Sequence, residues 1–128
     1  MKILLDTHAF LWYSAGDSRL SEHARSMIED RENDRLLSVA SLIEMALKAS
    51  LGKLTLSDSF EQFANNGIVR LQCRVFDITI PHLGRLSTLP FHHRDPFDRI
   101  LIAQTLVENI DIVSVDQELD AYGVRRHW

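Results

Sequence analysis

Residues 95–116 read DPFDRILIAQTLVENIDIVSVD, and this stretch decides the fold class. Asp95 suits an N-cap, Pro96 fits the first helical position, and Asp98 falls at the third, where an acid meets the positive end of the helix dipole. Apolar residues continue from there, so the segment predicts a helix over Pro96–Val107. Asp111–Val115 follows at once, rich in β-branched residues, and reads as a strand. Helix and buried strand in direct succession are the unit of a parallel sheet covered on both faces.

Working outward, the same alternation recurs. Lys2–Leu5 is a short apolar run closed by Asp6, which reads as a buried strand. Ser21–Asp30 has helical spacing. Leu36–Val39 is a second apolar run, followed by Ser41–Leu51, where Leu42, Met45, Ala46 and Ala49 recur at helical intervals before Gly52 stops the helix. Asp58–Asn65 reads as a short helix with Phe60, Phe63 and Ala64 on one side. Val69–Gln72 and Val75–Ile78 are strand candidates, and Thr79–Leu86 is helical with Pro81 in its first turn. No repeat, low-complexity tract or linker divides the 128 residues, so residues 1–128 are expected to form a single α/β domain.

Hydrophobic residues make up 45% and charged residues 25%, an ordinary globular balance. The lone Cys73 excludes an intramolecular disulfide and a cysteine-rich zinc site, and it fits a reducing compartment. The first residues (MKILLDTHAF) hold too short an apolar run for a signal peptide, and nothing approaches the roughly 20 apolar residues that cross a bilayer. A cytoplasmic location without membrane contact is the expectation. A net charge of −4 and a pI near 5.8 speak against a nucleic-acid partner. That argument weakens if several acids hold divalent metal, which would neutralise them.

In parallel sheets ligands collect beyond the carboxyl ends of the strands. Asp6 ends the first strand, and Asp116 ends the last apolar one, with Ser114 two residues before it. Glu44 and Asp98 both read as acids in an opening helical turn, in Ser41-Leu42-Ile43-Glu44 and Asp95-Pro96-Phe97-Asp98. Four hard oxygen donors at one sheet edge suit Mg²⁺ or Mn²⁺. Each acid also has a purely structural reading. Ser-x-x-Glu and Asp-x-x-Asp are capping frames, and Asp58-Ser59-Phe60-Glu61 has the same form with no strand ahead of it. Asp116 can begin a turn, and Asp6 can cap the next helix. On the residues alone both readings stand.

The segments Leu4-Leu5-Asp6-Thr7-His8, Ser41-Leu42-Ile43-Glu44-Met45-Ala46-Leu47-Lys48, His92-His93-Arg94-Asp95-Pro96-Phe97-Asp98-Arg99 and Val113-Ser114-Val115-Asp116 resemble, in order and spacing, the PIN-domain family. They look closest to the VapC-type toxins of toxin–antitoxin pairs, and the likeness runs over essentially the whole chain. The resemblance implies a three-layer α/β/α sandwich on a five-stranded parallel sheet. It also implies a Mg²⁺- or Mn²⁺-dependent endoribonuclease acting on single-stranded RNA, a small antitoxin partner and a homodimer. The family's four acids map onto Asp6, Glu44, Asp98 and Asp116, and its supporting hydroxyls onto Thr7 and Ser114, the latter replacing a more usual threonine. Of Asp95 and Asp98, spacing to Ile102-Ala103 favours Asp98 as the catalytic acid. The helices bearing Leu42 and Met45, or Phe60 and Phe63, would offer apolar area to a partner.

Arg94 and Arg99 flank Asp98 and are the candidate RNA phosphate contacts. His92 and His93 read as solvated loop residues, since no third nitrogen or sulfur ligand is spaced with them for zinc. His8 faces substrate or solvent, and Lys48 stands four residues after Glu44, the spacing of a helical ion pair. Phe10 and Trp12 read as helix packing, and Cys73 as a small core hydrophobe. An aspartyl-phosphate phosphatase would need an acid two residues after Asp6, where His8 stands; a phosphoacceptor domain would need a better-placed acid than Asp77. The remaining rival is a catalytically inactive PIN-like module that binds RNA or protein, and the presence of all four acids weighs against it.

Overall fold

A computed structural model describes all 128 residues. The strands are β1 (Lys2–Leu5), β2 (Asp34–Ser38), β3 (Arg74–Phe76), β4 (Asp111–Val113) and β5 (Arg126–His127). They form one parallel sheet in the order β3-β2-β1-β4-β5. The helices are α1 (Thr7–Ala15), α2 (Glu22–Glu29), α3 (Val39–Ser50), α4 (Phe60–Leu71), α5 (Ile80–Ser87) and α6 (Pro96–Glu108), and a 3-10 turn spans Gln117–Tyr122. None is long and apolar enough to cross a membrane.

Alternation along the strands divides the interior in two. Ile3, Leu5, Leu37 and Val113 face a core shared with Phe10, Ala24, Ile28 and Leu71 of α1, α2 and α4. Leu4, Leu36 and Ile112 face the opposite way, against Leu101 and Ile102 of α6. The expected three-layer α/β/α sandwich on a five-stranded parallel sheet is the observed one. Each fully buried Leu or Ile contributes roughly 1.5–3 kcal/mol, so two such faces hold the short strands in register.

Three local expectations differ. The stretch 58–72 is one helix, not a short helix plus a strand: α4 starts after the Ser59 cap and runs through Val69 to Leu71. It ends only where Gln72 takes a left-handed conformation (φ 52°). Helical burial of Ala64, Gly67 and Leu71 overrides the β-branched Ile68-Val69 pair, whose Val69 simply faces solvent. α3 likewise begins at Val39, three residues before the expected frame, because Ser38 caps it through the Ala40 N–H (3.0 Å). Glu44 is therefore in the second turn rather than the first. Finally, Met45 is fully buried and cannot meet a partner, while Leu42, Phe60 and Phe63 are partly buried against the core and leave only part of their surface for one. The exposed apolar residues of α3 are instead Ile43, Leu47 and Leu51 at its end.

Candidate metal centre

The sheet order places β1 between β2 and β4, so the chain leaves β1 toward one edge and returns on its other side. Such a switch opens a crevice at the carboxyl ends of the two strands. Asp6 stands there. Its N–H donates to the Val113 carbonyl (3.1 Å), extending the ladder by one residue. Its Oδ1 accepts from the Ala9 N–H at 2.7 Å, capping α1. Burial pushes the Asp6 carboxyl above its usual range; Ser114, the Ala9 bond and His8 oppose this, and Glu44 adds to it. The capping reading of Asp6 is thus fulfilled without removing the carboxylate from the crevice.

Glu44 reaches the same region from α3. Its Oε1 accepts from the Thr7 hydroxyl at 2.7 Å, and the Ser41 hydroxyl lies 3.0 Å from that of Thr7. Its Oε2 is 2.9 Å from Lys48 Nζ, the expected i,i+4 pair. Glu44 is therefore buried, oriented on both oxygens and partly neutralised.

Asp98 and Asp116 enter from the opposite side, joined by an unexpected residue. Asp95 caps α6, accepting from the N–H groups of Phe97 (2.9 Å) and Asp98 (3.1 Å). Asp98 sits at the third helical position. Burial and the charges of Asp95, Asp6 and Glu44 push its carboxyl up to about 7, against the opposing pull of His93. Asp116 caps the 3-10 turn through the Glu118 N–H (3.0 Å), and its own N–H donates to Ser114 Oγ (3.1 Å).

His93 is not a solvated loop residue. It is buried, with Nε2 at 2.6 Å from Asp116 Oδ2 and 3.4 Å from Asp98 Oδ2. Its Nδ1 accepts the Asp95 N–H (3.1 Å), which assigns the proton to Nε2 and aims it at Asp116. Burial alone would lower the His93 pKa, but the Asp116 bond and the charges of Asp98, Asp116 and Glu118 outweigh it and raise it. His92 turns outward, packing edgewise on Tyr122 at 5.1 Å. The two histidines therefore do not form a pair.

His93, Asp98 and Asp116 bring ligand atoms within 4.8 Å of one another. Asp6 and Glu44 stand outside that group, but both act electrostatically on Asp98. Four carboxylates against one lysine and a hydrogen-bonded imidazole make an oxygen-rich, under-neutralised set. The Nε2 proton commits His93 to orienting Asp116, so the donors fit a hard divalent cation held by oxygen.

Arg99 differs from expectation. It is buried beneath the loop before α6 and donates to the carbonyls of Leu89 (3.0 Å), Pro90 (2.8 Å) and His93 (3.3 Å). The Tyr122 hydroxyl completes the clamp, accepting from the N–H groups of His92 and His93 and donating to Pro90 O at 2.7 Å. Arg99 holds the loop that presents His93 and is not free for phosphate; Arg94 is exposed. The only sequence signal for these roles is the unusual density of the HHRDPFDR stretch.

A PIN domain profile matches residues 3–124, and the chain belongs to the PIN-domain family. Its fold is similar to that of VapBC2 from Rickettsia felis bound to a promoter DNA fragment (TM-score 0.75, 12% identity, 99% of this chain and 98% of that one). DNA-bound VapBC from Salmonella typhimurium is alike (TM-score 0.73, 15% identity, 99% and 97% covered). So is VapC20 of Mycobacterium tuberculosis, a toxin that cleaves the sarcin–ricin loop (TM-score 0.64, 18% identity, 95% of both chains). No curated protein matches by sequence.

Proposed function

We propose that this chain is a divalent-metal-dependent endoribonuclease for single-stranded RNA and the toxin of a toxin–antitoxin pair. The observation that carries the reading is the surplus of negative charge at the sheet edge, where Asp95, Asp6 and Glu44 crowd a half-buried Asp98. Such crowding is costly unless a cation enters. Asp6 and Asp98 are the ligands least neutralised by the protein, while Glu44 leans on Lys48 and Asp116 on His93. They are assigned as direct ligands of Mg²⁺ or Mn²⁺, with Glu44 and Asp116 binding through water or a second ion. A bound ion would acidify a water and offset charge on the scissile phosphate. The protein supplies rigidity: Thr7 fixes Glu44, His93 fixes Asp116, and Ser114 accepts from the Asp116 N–H while favouring the ionised form of Asp6.

The fold neighbours include VapBC complexes, which supports a small antitoxin partner here, with a basic side chain matched to the acidic crevice. The exposed Ile43, Leu47 and Leu51 on successive turns of α3 and its end offer area for a homodimer. Action on RNA assigns the protein to the cytoplasm.

The test is cleavage of labelled single-stranded RNA with Mg²⁺ or Mn²⁺ and with chelator. Cleavage should require the ion and vanish in Asp6→Asn with the fold intact. Chelator-resistant cleavage, or full activity in that variant, would reject the assignment. RNA binding without cleavage under any divalent ion would favour the inactive binding module.

A further inference from the structure

A polyanion approaching this protein meets a net charge of −4 and a cluster of carboxylates. Coulomb attraction to phosphates, the usual source of nucleic-acid affinity, is therefore weak here, and affinity has to come from elsewhere. Base stacking is the general alternative, because every base offers a π-face. The molecule carries a suitable surface. Phe91 is 86% exposed, the most exposed aromatic residue in the chain. It is not loose: the buried Arg99 guanidinium lies 4.0 Å from the ring centroid and supports one face. Arg99 is itself fixed by three loop carbonyls. The ring thus borders an open cavity of about 440 Å³, the largest in the protein, lined also by Leu86, Arg94, Pro96 and Ile100. Arg94 adds an exposed cation to this apolar wall. Two residues after Phe91, the same loop turns inward at His93 to reach Asp98 and Asp116.

We propose that Phe91 and Arg94 form a nucleobase-stacking subsite on the loop that leads into the carboxylate centre, Phe91 holding an unpaired base and Arg94 an adjoining phosphate. The proposal rests on the RNA reading above. It adds a physical reason for single-strand preference, because a base already paired and stacked in a duplex cannot reach the ring. Arg99 acts as a positioning residue, holding the ring in place from below.

The test uses the full-length Asp98→Asn variant, which keeps RNA uncut, and a fluorescent oligoadenylate with a matched abasic strand. Phe91→Ala and Phe91→Leu should each weaken oligoadenylate binding by roughly five-fold to a hundred-fold. Phe91→Tyr should retain it, and abasic-strand binding should be unchanged in all three. Arg94→Gln should weaken both strands and flatten the salt dependence. Unchanged oligoadenylate binding in Phe91→Ala overturns the subsite, as does equal loss on the abasic strand, which would make the ring merely structural. A change of sedimentation state in Phe91→Leu also overturns it, making this face a contact with a second copy. If the parent protein neither binds nor cuts RNA, the RNA reading itself fails, an outcome distinct from a Phe91 variant that binds normally.

Discussion

Asp95 and Asp98 stand one helical turn apart and answer to different demands. Asp95 satisfies two backbone N–H groups at the start of α6, so Asp95→Ala should cost about 1 kcal/mol of stability. Its effect on turnover should be modest, through a slightly displaced helix start. Asp98 makes no such cap and is crowded by like charges. Asp98→Asn keeps the shape and removes one of those charges, so the metal-free protein should be equally or more stable. The same change should reduce turnover by orders of magnitude and weaken metal binding in a titration. Thermal melts and metal-dependent cleavage should therefore rank the two variants in opposite order. An active Asp98→Asn beside a stable but inactive Asp95→Ala would reverse the assignment.

At the scale of elements, α4 shows how packing decides what propensity leaves open. Gly67 lies in its buried face, where an added Cβ would overlap Phe10 Cζ, with Cε2 and Cε1 of the same ring at 3.2 and 3.3 Å. Phe10 has nowhere to retreat, being fully buried and edge-to-face with Phe63 at 6.2 Å. In an exposed helix Gly→Ala would gain up to about 1 kcal/mol. Overpacking in a tight core costs typically about 1–3 kcal/mol, so the clash should win and Gly67→Ala should lower the melting temperature. Phe10→Leu introduced alongside should recover part of that loss. A melt in which Gly67→Ala is stabilising would show that α4 can shift away from α1.

The whole molecule should show an unusual pH response when stripped of metal. Asp98 has an unfolded value near 3.8 and a folded one of about 7. Between those values the folded chain keeps a proton that the unfolded chain has lost, so this group's stability contribution falls as pH rises from about 4 to 7. Asp6 is raised as well and acts in the same direction. The raised His93 contributes stability that is likewise lost on the alkaline side. Asp111 is held low because His127 and Arg125 outweigh its burial, and Arg74 lowers Asp34; their stabilisation is lost only below about pH 4, a separate window. With chelator, the melting temperature should therefore decline from about pH 5 to pH 8, and Asp98→Asn should flatten the decline. Saturating Mg²⁺ or Mn²⁺ should reverse it, because binding requires ionised carboxylates. A metal-free protein whose stability rises through that range would contradict the crowding of Asp98.

Much of this was legible in residues 1–128 because it is local chemistry. The apolar runs at β1, β2 and β4, the Asp95-Pro96 start of α6 and the acids at strand ends act over a few residues, and a chain carries such signals in order. The alternation of strand and helix was enough to imply a parallel sheet, hence a ligand-collecting edge at the carboxyl ends of its strands. What the local pattern could not decide was who meets whom across that crevice. His93 meets Asp116 over 23 residues and Thr7 meets Glu44 over 37, and Arg99 reaches back under its own loop. Those pairings arise only once the sheet order has brought β1 beside β4 and laid α3 and α6 over their ends. The length of α4 was settled there too, because burial of one helix face against the sheet outweighs the small propensity differences that sequence patterns report.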